Sequence, residues 1–133
     1  MDKLAKLLEM NGADTLPATA EQVEAAEQKL GLCFAPCYKE YLRRFGVISV
    51  GANETYGLGV KESSFLNIVN ALSEFKKKAG FPANLIPLSS IGDGHYYMFD
   101  NDAQKVVVLT LPDLGTRDFA NNLELFLIDL LLA

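Results

Sequence analysis

TAEQVEAAEQKLGLCFAPCYKEYLRRFG, residues 19–46, reads as two short helices with start and stop signals for each. Thr19 precedes Gln22 at the spacing of a capping box, in which each side chain satisfies an orphan backbone donor. Val23, Ala26, Glu27 and Leu30 then follow helical spacing, and Gly31 can take the left-handed conformation that ends a helix. Leu32 and Phe34 lead onward to Pro36, which fits the first turn of a second helix because its missing N–H is not needed there. Tyr38, Tyr41, Leu42 and Phe45 make an apolar stripe, Lys39, Glu40, Arg43 and Arg44 make the wet face, and Gly46 ends the helix. Such a helical hairpin needs a hydrophobic surface to pack on.

The rest of the chain is large enough to supply one. Its 133 residues match one domain, spanning 1–133, and half of them are apolar, which excludes disorder. No apolar run approaches the ~20 residues of a membrane span. The N-terminal MDKLAKLLEM lacks the long apolar core of a signal peptide, so a cytoplasmic protein is expected. In a reducing compartment Cys33 and Cys37 are read as two buried or half-buried free thiols. The net charge of −5 argues against nucleic acid as a partner, because phosphate binding needs clustered Lys and Arg. It suits a basic protein partner, although it also serves solubility alone.

Outward from the hairpin, residues 2–10 form an amphipathic helix through Leu4, Leu7 and Leu8, stopped by Asn11-Gly12, with a loop over 13–17. Val47–Val50 suits a strand, Gly51–Glu54 a turn, and Thr55–Val60 an irregular strand, so 47–60 reads as a hairpin. Ser63 or Ser64 is expected to cap a helix with Phe65, Ile68, Val69, Leu72 and Phe75 on one face. Lys76, Lys77 and Lys78 would then fall in its last turn, where the helix dipole favours cations. Leu85–Ser89 contains Pro87, which confines it to an edge or irregular strand.

A second informative stretch is IGDGHYYMFDNDAQKVVVLT, residues 91–110. Gly92-Asp93-Gly94 is a tight turn, His95–Phe99 an aromatic strand, Asp100–Gln104 a polar connection, and Lys105–Thr110 a β-branched strand. Asp118 is expected to cap a last helix over 119–132 with Phe119, Leu123, Phe126, Leu127, Leu130 and Leu131 on a broad stripe.

No nucleophile elbow and no phosphate-binding loop occur, so no catalytic residue is assigned. His95 is the single histidine. With Asp93, Asp100 and Asp102 it offers the ingredients of an acid/base or metal site, but a polar turn beside a half-exposed histidine accounts for the same residues. Asp100-Asn101-Asp102 lacks the later glycine and glutamate of a calcium loop. No metal and no cofactor is therefore expected.

The run Val23, Glu27, Leu30, Gly31, Phe34, Pro36, Tyr38, Tyr41, Leu42, Phe45, Gly46 resembles the opening signature of the SMI1/KNR4 (SUKH) superfamily. Pro87, Gly92, Asp93, Gly94, Tyr96, Asp100 and Val106–Val108 are similar to its middle, and Phe119, Ala120, Leu123, Phe126 and Leu127 to its closing helix. Departures fall at Ala35, Phe45 and His95. The resemblance implies an α+β fold, an antiparallel or mixed β-sheet with helices packed mainly on one face. It also implies a binding module of the bacterial immunity type, which neutralises a cognate toxin, often a basic nuclease. In such a fold the open face and its loops can receive the toxin. The expected contact residues are Glu54, Tyr56, Asp93, His95, Tyr96, Asp100 and Asp102, gathered by two hairpins into one acidic, tyrosine-lined patch. Two other readings stay open: a small ligand-binding protein or hydrolase using Asp93, His95 and Asp100, and a self-associating homodimer that buries the leucine-rich last helix.

Overall fold

The computed structural model describes residues 1–132. Helix α1 (Asp2–Met10) buries Leu4 and Leu8. Helices α2 (Ala20–Leu30) and α3 (Pro36–Arg44) form the expected pair. The capping box is complete: Gln22 N–H donates to Thr19 Oγ1 at 3.1 Å and Thr19 N–H to Gln22 Oε1 at 2.8 Å. Gly31 ends α2 in the left-handed region with φ 67°. Tyr38, Tyr41 and Leu42 of α3 are wholly buried.

Three short strands follow one another across a small antiparallel sheet: β1 (Asp14–Thr15), β2 (Ile48–Val50) and β3 (Asn53–Glu54). The 13–17 loop is therefore partly a strand, and the hairpin of 47–60 is shorter than its sequence suggests. Beyond Glu54 the chain stops pairing as a ladder because glycines let backbones cross at close range. A Cβ at Gly57 would overlap the carbonyl of Gly46, and one at Gly46 or Gly59 would overlap the carbonyl of Leu16.

Helix α4 (Ile68–Phe75) begins later than Ser63 or Ser64. Asn67 caps it, with Oδ1 accepting from Val69 N–H at 2.9 Å. Phe65 consequently lies outside the helix and is 67% exposed. Lys76 is the C-cap, so the lysine run lies past the helix and not in its last turn.

The main sheet is an antiparallel meander of β4 (Leu85–Gly92), β5 (His95–Asp100), β6 (Lys105–Thr110) and β7 (Gly115–Ala120). Strand β4 lies at one edge and shifts register beside Pro87, as a residue without a ladder donor requires. Its outer side is covered: Tyr56 N–H donates to Leu88 O at 2.9 Å and Ser89 Oγ to Glu54 O at 3.1 Å. Asp118 does not cap the last helix. It lies in β7 with Phe119 and Ala120, and α5 (Leu123–Leu132) starts after Asn122, whose Oδ1 accepts from Leu125 N–H at 2.9 Å.

Side chains alternate across the sheet. Ile86, Leu88, Phe99 and Val106 join residues of α1, α2, α3 and α5 in the large core. Leu85, Met98, Val107 and Leu109 point the other way and form a small core with Phe75 and Phe81. Helix α4 contributes to both, through Ile68 and Leu72 on one side and Phe75 on the other. Cys33 is exposed rather than buried, and Cys37 is half-buried.

Candidate functional site

The buried face of α3 builds the site from beneath. Tyr41 Oη lies 2.7 Å from the carbonyl of Tyr56 and 2.6 Å from Thr55 Oγ1. A phenol has one proton, which the carbonyl requires, so Thr55 donates to Tyr41. Thr55 Oγ1 in turn accepts from Ile48 N–H at 3.0 Å. This chain of bonds fixes residues 55–56 against β4 and sets the position of the Tyr56 ring. Burial pushes both the Tyr41 and Tyr56 phenols above their ordinary values, Tyr56 with further help from Tyr96 and Glu54.

Tyr96 reaches the same place from β5. It leaves the sheet on the small-core face, with its ring edge-on to Phe75 at 4.9 Å. Tyr56, Phe65, Phe75, Tyr96 and Leu111 line an open cleft of about 570 Å³, with Glu74 and Lys78 also on its wall. Aromatic rings with polar tips around an open cleft suit a protein interface. Glu54 is exposed beside this region, its main-chain carbonyl bonded to Ser89.

The remaining expected contact residues do not converge there. His95 is next to Tyr96 in sequence and so points to the opposite face, where Nδ1 lies 3.0 Å from Thr110 Oγ1. Asp93 sits exposed in the turn between β4 and β5 with φ 53°. Asp100 and Asp102 lie at the other end of β5, about 17 Å from His95 at ~3.3 Å per residue. The single patch of two hairpins is thus corrected to a cleft lined by Tyr56 and Tyr96, with Glu54 beside it. The same distance removes Asp100 from Asp93 and His95, so an Asp93–His95–Asp100 hydrolase site is not assembled.

Asp100 serves the turn instead. Burial opposes its charge, but donors from Ala103 N–H, Asn84 Nδ2 and Asp102 N–H outweigh it and hold the carboxyl below its ordinary value. Asn101, which the sequence reading passed over, ties this turn to the loop between α2 and α3. Its Nδ2 donates to Cys33 O and its Oδ1 accepts from Ala35 N–H, both at 2.8 Å. Helical spacing also puts Phe65 and Phe119 on apolar helix stripes, although both lie outside their helices and are half exposed or more. An aromatic residue next to a cluster of competing cap residues was the available signal.

Among the described residues no three His, Cys, Asp or Glu side chains gather to hold a metal. Nor, among these residues, is any helix long and apolar enough to cross a membrane.

A family model described as SMI1-KNR4 cell-wall matches residues 20–127. Among curated proteins nothing matches the chain. A crystal structure of a protein from Pseudomonas syringae pv. tomato has a similar fold, with a TM-score of 0.77 over 98% of each chain at 19% identity.

Proposed function

Because the chain belongs to the SMI1-KNR4 (SUKH) family, we propose that it is a non-enzymatic binding module of the bacterial immunity type. It works in the cytoplasm and neutralises a cognate basic toxin of the nuclease type. The observation that carries this reading is the convergence of Tyr56 and Tyr96, from two separate elements, on one open aromatic cleft. Glu54 beside the cleft and the net charge of −5 favour a basic partner. Aromatic anchors in a cleft are the usual source of binding energy in interfaces of this kind.

The test takes as its probe a basic nuclease-type toxin whose gene adjoins this one, if the neighbourhood encodes one, with the full chain as its partner. A neighbourhood without a toxin gene counts against the reading. Tyr96→Ala and Tyr56→Ala are each expected to weaken binding by about tenfold to a hundredfold. Glu54→Lys is expected to slow association and flatten its salt dependence. Folded variants that bind and protect cells as well as the parent would remove the cleft from consideration. The absence of catalysis is tested separately, by broad hydrolase screening with His95→Ala as control. Activity that disappears in that variant would overturn the binding-only reading.

A further inference from the structure

The two edges of the main sheet are treated differently. The β4 edge is covered by residues 54–56 and broken by Pro87 and two register shifts. The β7 edge pairs with β6 alone, leaving the outward N–H and C=O groups of a six-residue strand without ladder partners. It contains neither proline nor lysine, two usual guards of a bare edge, and its single register shift is confined to its far end at Phe119. Beside it runs a groove of about 540 Å³ between sheet and α5, lined by Tyr97, Phe119, Leu125, Phe126, Asp129 and Leu130. Phe119 is 50% and Leu125 51% exposed there.

We propose that this edge and groove join two copies of the chain in a two-fold dimer with one continuous sheet. The argument is self-complementarity. Arg117 and Asp129 are both exposed, and neither has an ion-pair partner among the described residues. Arg117 stands opposite Val108, which stands opposite Tyr97, so Arg117 lies on the face that carries Phe119 and the groove.

An antiparallel pair of identical strands has its two-fold axis normal to the sheet, so each face stays on its own side. Residues of like parity therefore meet across the junction along the regular part of β7. Although Phe119 is the extra residue of a bulge against β6, its ring packs on Tyr97 and so stays on the Arg117 face. A register centred on Arg117 would oppose two unpaired cations. Centring on Asp118 opposes two carboxylates, but each is held by its own Lys105 at 2.8 Å. That register sets each Arg117 against the Phe119 ring of the second copy, at the mouth of the groove whose helical wall carries Asp129. The guanidinium gains an aromatic face and a carboxylate, both vacant in the monomer. A strand of unrelated sequence would cover the edge without satisfying these two charges.

The dimer does not depend on the toxin reading, since the tyrosine cleft lies elsewhere and can act in a monomer. Sedimentation equilibrium and light scattering on the full chain, from micromolar to millimolar, are the test. The expected mass rises with concentration from 14.6 kDa to twice that value. Amide exchange over residues 115–120 should slow in parallel. Arg117→Glu and Asp129→Arg should each weaken the dimer about tenfold, and the two together should restore it to near the parent. These residues are exposed, so the variants should fold. A mass of 14.6 kDa at every concentration overturns the proposal, including the case in which a foreign strand occupies the edge. So does a dimer whose β7 amides stay unprotected and whose affinity ignores both charge reversals.

Discussion

Tyr38 and Tyr41 lie one helical turn apart, equally buried, and differ in what their hydroxyls meet. Tyr41 sits in the chain from Ile48 through Thr55 to the Tyr56 carbonyl. Tyr38 stacks on Phe99 at 5.3 Å, and its hydroxyl has no partner among the described residues. Tyr41→Phe should therefore cost about 1–3 kcal/mol, because it strands a buried carbonyl and a buried hydroxyl. Tyr38→Phe should be neutral or stabilising, since only an unsatisfied group is lost. Chemical denaturation of the two variants decides it, and equal losses would refute the assignment of the network. Asp100 makes a pH-dependent contribution of known sign. Its carboxyl is held below the unfolded value, so its stabilisation is present above about pH 4 and is lost as pH falls through the lower folded value. Asp100→Asn should lower stability at neutral pH and flatten the acid limb of the stability curve. An unchanged acid limb would show that the turn does not depend on the charge.

Elements were legible where their signals are local. The capping box at Thr19, the Gly31 stop and Pro36 delimit α2 and α3 as the sequence implies, because each acts within a few residues of itself. The hairpin of β5 and β6 was legible for the same reason: alternation and a polar connection define it. Strand β7 was not, since Phe119 and Ala120 continue the apolar spacing of α5 and only pairing with β6 makes them strand. The start of α4 failed similarly, with Ser63, Ser64 and Asn67 competing as caps and only packing choosing among them. Gly57 and Gly59 read in the sequence as strand irregularities and Gly46 as a helix stop, whereas together they mark a backbone crossing. Gly57→Ala should destabilise the protein by more than about 3 kcal/mol or prevent folding, because the new Cβ meets backbone that cannot move aside. Gly51 has open space around it and only a positive φ, so Gly51→Ala should cost about 1–2 kcal/mol. Thermal melts of the pair separate crowding from backbone strain, and similar shifts would sink the crossing as the cause.

At the scale of the whole molecule, one sheet carries two cores of unequal size, and the site belongs to the smaller. The expectation of helices mainly on one face holds for the large core, yet sequence alone could not show that α4 and residues 76–84 patch the other face. Neighbours such as His95 and Tyr96 part company across the sheet for the same reason: strand alternation sends them to opposite faces, Tyr96 to the small core and His95 to Thr110. Phe75 joins the small core to the cleft, since it stacks near Phe81 at 5.5 Å and meets Tyr96 edge-on at 4.9 Å. Phe75→Ala should cost about 3 kcal/mol, the usual loss for a buried aromatic. Few apolar contacts hold this patch, so the loss should appear first as local opening. Amide exchange should accelerate over residues 70–84 and around Tyr96, while α2 and α3 keep most of their protection. Under the proposed binding role, affinity for the partner should weaken although Glu54, Tyr56 and Tyr96 all remain. Phe99→Ala, which empties the large core beside Tyr38, should instead raise exchange along the whole chain. If Phe75→Ala also raises exchange uniformly, the two cores unfold as one and the cleft is as rigid as the rest of the protein.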